Sequence, residues 1–87
     1  MNYYYTVLQS KSHSLILEHR MRIQYIECEL VYLPREIMKD LCNMGVRFDE
    51  RYLNRAVEVI KHSGLPGCKI YMETVYPNSN KYIEISI

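Results

Sequence analysis

The sequence predicts a small α+β domain: an antiparallel sheet of about four strands with an αα-hairpin packed on one face, in the order ββ-αα-ββ. Two observations carry this. Apolar residues alternate with polar ones near both ends of the chain, as in half-buried strands, whereas the middle recurs at helical spacing and is punctuated by proline and glycine. The length of 87 residues suits one domain over 1–87.

Tyr3 to Gln9 is aromatic and β-branched and reads as a strand. Ser10–Ser14 is a polar connection. From Leu15 to Tyr32 the pattern is β-like, with Leu15, Leu17, Met21 and Ile23 on one parity and Ile26, Cys28, Leu30 and Tyr32 on the other. A strand changes its buried parity only at a bulge or break, which falls near Tyr25. Residues 13–20 also suit a short helix; the strand reading is preferred.

Pro34 opens the first helix of the hairpin, since proline fits the first helical position. Leu33, Ile37, Leu41 and Met44 form its stripe, and Gly45 ends it. Asp49 is the N-cap of the second helix, with Phe48 and Leu53 at hydrophobic-staple spacing. Its buried stripe is Leu53, Ala56, Val57 and Ile60; Lys61 and His62 sit in its last turn, and Gly64 caps it before Pro66. Two strands follow, from Cys68 to Val75 and through Ile83, Ile85 and Ile87, joined by the turn Pro77–Asn80.

Composition narrows the function. Eleven Lys and Arg against ten Asp and Glu leave a formal charge of +1, which marks neither a strongly basic nucleic-acid binder nor an acidic mimic. No apolar run approaches the roughly 20 residues of a membrane helix. The N-terminus lacks the pattern of a signal peptide, and three widely spaced cysteines make no disulfide framework, so a reducing cytoplasm is expected, with Cys28, Cys42 and Cys68 as small core residues. No cysteine or histidine pair has zinc-ligand spacing, and no nucleophile elbow, P-loop or dinucleotide fingerprint occurs. Catalytic, metal and cofactor residues are therefore expected to be none, and the protein is expected not to be an enzyme.

Two features suggest binding. The first is nine tyrosines beside one Phe and no Trp. Tyr4, Tyr71 and Tyr82 fall on parities opposite to plausible buried sets and would form an aromatic patch on the helix-free face of the sheet, as protein interfaces often do. The second is Arg47, Arg51 and Arg55 recurring every four residues, with Arg20 and Arg22 on one face of a strand. Basic residues beside aromatic ones can hold a nucleic-acid backbone, although Glu58 and Glu18 interrupt these faces. Leu41–Val46 hints at a helix-turn-helix, but Arg51 and Asn54 stand where a recognition helix needs apolar residues.

The expectation is a protein-binding module acting by steric occlusion or scaffolding. By analogy of size and architecture alone, phage and mobile-element inhibitors of host defence complexes, anti-CRISPR proteins among them, are built this way. The alternative is a nucleic-acid-binding domain using the arginines. A homodimer formed by sheet pairing is a third possibility.

Overall fold

The computed structural model describes residues 2–38 and 43–86. In chain order they form β1 (Tyr3–Val7), α1 (Lys11–Ile23), β2 (Cys28–Tyr32), β3 (Met44–Asp49), a single 3-10 turn (Glu50–Tyr52), α2 (Leu53–Ser63), β4 (Lys69–Val75) and β5 (Asn80–Ile85). The strands make one antiparallel sheet in the order β2-β3-β1-β4-β5, and both helices pack on one of its faces. The fold is thus α+β as expected, with five strands, but its helices are separated in sequence and make no αα-hairpin.

Residues 15–23 are helical, not extended. Ser10 N-caps α1, its hydroxyl accepting from the His13 N–H at 3.2 Å, so the serine-rich connection is the start of the helix. Leu17 and Met21 are one turn apart and fully buried, with Ser14 beside them. The parity change that suggested a bulge is the turn after a helix: Tyr25 takes a left-handed φ of 60° there and is 87% exposed.

The expected helix from Pro34 to Gly45 is also replaced. The N–H groups of Ile37 and Met38 both donate to the Pro34 carbonyl at 3.1 Å, giving one turn. Leu41, inside the expected stripe, lies outside the described residues. The Leu33 N–H donates to the Asn43 carbonyl at 2.8 Å, and β3 pairs with β2 from there. Gly45, expected as a cap, sits mid-strand because a side chain would meet the Thr6 carbonyl and Leu33. The Gly45-Val46 pair is therefore strand, and the helix-turn-helix hint falls with it.

α2 ends as the sequence indicates but starts later. Asp49, expected as its N-cap, caps the preceding 3-10 turn instead, its carboxylate accepting from the Arg51 N–H at 2.9 Å. α2 begins after Tyr52 with no side-chain cap, and Gly64 closes it at φ 72°. Ala56 and Ile60 of α2 join Leu17 and Met21 of α1 over Tyr4, Val46, Phe48 and Ile70 of the sheet in the main core. A smaller core lies on the other face, where Leu33 and Ile37 fold back onto Tyr5 and Val7.

Candidate functional site

The helix-free face of the sheet is where the tyrosines gather, though not as expected. Tyr4 is on the helix face instead, 6% exposed and stacked on Phe48 at 5.7 Å between ring centroids. The reason is strand order: β1 is central, so both of its parities are covered. Tyr71 and Tyr82 do lie on the helix-free face, and Tyr5 joins them. Tyr5 stands opposite Tyr71 in the β1–β4 ladder and meets Tyr82 edge-on at 6.0 Å.

A buried carboxylate ties this cluster together. Glu73 is 7% exposed and accepts from the Tyr82 hydroxyl at 2.8 Å, from Asn80 Nδ2 at 3.3 Å and from the Tyr5 hydroxyl at 3.4 Å. Burial, with Glu73 beside it, pushes the Tyr82 phenol up to about 12. Tyr5 is raised for the same two reasons, burial first. Among the described residues no three His, Cys, Asp or Glu are grouped to hold a metal ion.

The five arginines do not share a face. Arg47 is on β3, its guanidinium 3.8 Å above the centre of the Tyr3 ring, with a buried Nε that has no partner among the described residues. Arg51 pairs with Asp49 at 3.5 Å. Arg22 pairs with Glu18 at 3.4 Å and donates to the Cys28 carbonyl at 2.8 Å. These three line one groove, of about 390 Å³, but Glu27, Glu29 and Asp49 line it too. Arg55 donates to the Gln24 carbonyl, tying α2 to the end of α1. Arg20 lines a different groove between the helices, with Ile23, Val59 and His62. The even spacing of Arg47, Arg51 and Arg55 means little once the first stands on a strand.

The thiols differ from one another. Cys28 opens β2 and faces the main core; burial raises its pKa, and the nearby Arg22 only partly opposes this. Cys68 is half-buried, and burial pushes its thiol up to about 11. Neither has the electropositive, accessible setting that makes a thiolate at neutral pH. Cys42 lies outside the described residues, in the connection between β2 and β3. The sequence treated all three as core fillers, and nothing in their spacing separates Cys42 from the others.

The class defined so far is a small α+β protein with an antiparallel sheet, two helices on one face and free cysteines. Residues 3–72 match the family described as "Putative Se/S carrier protein-like", and the chain belongs to that family. The match includes all three cysteines and ends within β4. No curated protein and no solved structure matches the chain. No helix among the described residues is long and apolar enough to cross a membrane.

Proposed function

We propose that this protein carries sulfur or selenium on a cysteine thiol and passes it between partner proteins, with Cys42 as the carrying residue. The observation that carries the reading is the family match over residues 3–72, taken with the burial of the other two thiols. A carrier thiol has to ionise and to meet a second protein's sulfur, and the surroundings of Cys28 and Cys68 oppose the first requirement.

The chemistry needs no resident cofactor. The Cys42 thiolate attacks the terminal sulfur of a donor protein's cysteine persulfide. The donor's S–S bond breaks, its cysteine leaves as a thiolate, and Cys42 is left as a persulfide that keeps the transferred sulfur and its proton. Attack by an acceptor thiolate on that same sulfur unloads the carrier. The sulfane sulfur keeps its oxidation state, so no oxidant is consumed. Selenium is carried in the same way as a selenopersulfide.

In this reading the protein is not an enzyme but a protein-binding module, as its composition suggests. Its docking surface includes Tyr71 and Tyr82 on the helix-free face. A reducing cytoplasm suits a working thiol. Inhibition of a host defence complex needs no thiol, and the three arginines that share a groove share it with Glu27, Glu29 and Asp49, which disfavour a nucleic-acid backbone.

The test is to treat the protein with a low-molecular-weight persulfide donor and read its intact mass. Wild type, Cys28→Ser and Cys68→Ser should each gain one sulfur atom, and Cys42→Ser none. Loading that persists without Cys42, or no loading of the folded wild type, overturns the assignment.

A further inference from the structure

We propose that β5 pairs with β5 of a second copy of this chain, joining two sheets into one across a twofold axis. This does not depend on the role of Cys42. β5 is an outer strand of the sheet. The Tyr76 N–H donates to the Ser79 carbonyl at 2.9 Å, which fixes the phase of the β4–β5 ladder. Lys81, Ile83 and Ile85 therefore turn their backbone groups towards β4, and Asn80, Tyr82 and Glu84 turn theirs away. Among the described residues nothing pairs with that outward row. An uncovered edge of this kind is a template for another strand.

Side chains point the same way. Ile83 is on the helix side of the sheet, opposite Met72 of β4, yet it is 53% exposed. The other outer strand is β2, and its outward groups are those of Cys28, Leu30 and Tyr32, by the phase that the Leu33–Asn43 bond sets. There the Arg22 guanidinium already occupies the Cys28 carbonyl at 2.8 Å. Pairing of β5 with a neighbour's β2 would repeat head to tail and cannot close after two copies by a twofold axis, and Arg22 obstructs it. Pairing of β5 with itself closes after two copies.

The ladder also selects a register. Antiparallel partners must have the same parity, because each residue and its opposite lie on one face. With Tyr82 opposite the second copy's Glu84, Ile83 stands directly opposite its own copy at a close, non-hydrogen-bonded position, and no like charges face each other. The register in which Tyr82 faces its own copy would place Ile83 against Lys81, which hides less apolar surface.

Light scattering on the full chain, from micromolar to millimolar concentration, should give twice the monomer mass. Glu84→Pro removes one outward N–H and no backbone bond to β4, only the exposed ion pair of Glu84 with Lys69 at 3.9 Å, which Glu84→Gln removes as a control. Glu84→Pro should therefore halve the mass, and Glu84→Gln should not, while circular dichroism is unchanged. In a Cys42→Ser background, mild oxidation should cross-link Ile83→Cys into a covalent dimer, but not Glu84→Cys, because residue 83 faces its own copy within disulfide reach and residue 84 does not. A monomeric wild type at every concentration overturns the proposal. So does a dimer that survives Glu84→Pro, or equal cross-linking of the two cysteine variants. If Glu84→Pro unfolds, the contrast between the two cysteine variants decides.

Discussion

At the residue scale, Glu73 stands out as a carboxylate that is buried, 7% exposed, within the sheet. A carboxylate taken out of water is expensive unless hydrogen bonds replace the hydration it loses. Here the replacements are neutral donors, two phenols and an amide, with no cation among them. Burial keeps those phenols protonated, and the carboxylate adds to the effect. Glu73→Gln keeps the shape and removes the charge. The Tyr82 phenol should then ionise closer to its ordinary value of 10.0, moving only part of the way because burial is the larger cause. Glu73→Ala should instead cost about 1–3 kcal/mol, since it leaves buried hydroxyls without an acceptor. Absorbance of tyrosinate during an alkaline titration reads the first effect, and urea unfolding reads the second. An unchanged Tyr82 titration in Glu73→Gln would remove Glu73 as a cause.

At the scale of elements, β3 depends on a residue without a side chain. Gly45 lies where the Thr6 carbonyl of β1 and the Leu33 side chain close in from two sides. Gly45→Ala has to push strand backbone aside and should lower stability by roughly 1–3 kcal/mol, as overpacked cores do. Gly64→Ala meets nothing within 4 Å and suffers only from its φ of 72°, about 1 kcal/mol for an L-residue held there. Urea midpoints of the two variants should rank Gly45→Ala as the worse; the reverse order would mean that Leu33 yields easily. The same comparison shows what could be read from the chain. The end of α2 was legible because Gly64 and Pro66 act locally, within a turn of it; its start was not, because Asp49 caps the 3-10 turn that precedes the helix. The β4–β5 hairpin was legible because its alternation is clean. α1 was hidden because Leu15, Ile16 and Ile23 are apolar yet exposed, which blurs a stripe that rests on Leu17 and Met21. Gly45 misled because a cap and a close approach of strands call for the same residue, and only the pairing of β1 with β3 tells them apart. The faces of Tyr71 and Tyr82 followed from parity. That of Tyr4 did not, because parity cannot separate buried from exposed in a central strand. Glu73 and Tyr5 meet only through the β1–β4 register, which is settled between distant segments.

At the scale of the whole molecule, several weak acids are held neutral by one fold, and their effects add. Cys28, Cys68, Tyr4, Tyr5 and Tyr82 all have their pKa raised, with burial the leading cause in each. In the unfolded chain the thiols ionise near 9.0 and the phenols near 10.0, whereas in the fold Cys68 waits until about 11 and Tyr82 until about 12. Between those limits the folded protein binds more protons than the unfolded one, so stability falls as pH rises. The contribution is complete below pH 9 and is lost as pH climbs through the folded values. For Cys68 alone, a rise from 9.0 to about 11 corresponds to roughly 3 kcal/mol at most, since one pKa unit is about 1.4 kcal/mol. Urea midpoints should therefore be level from neutral pH to pH 9 and then drop steeply. The drop should be shallower in Cys68→Ala, even though that variant starts lower because it leaves a small cavity. A level profile continuing past pH 11 would mean that these thiols and phenols reach water in the folded state. That would also reopen Cys68 as a carrier thiol, so the pH profile and the loading of the cysteine variants constrain the same assignment from independent directions.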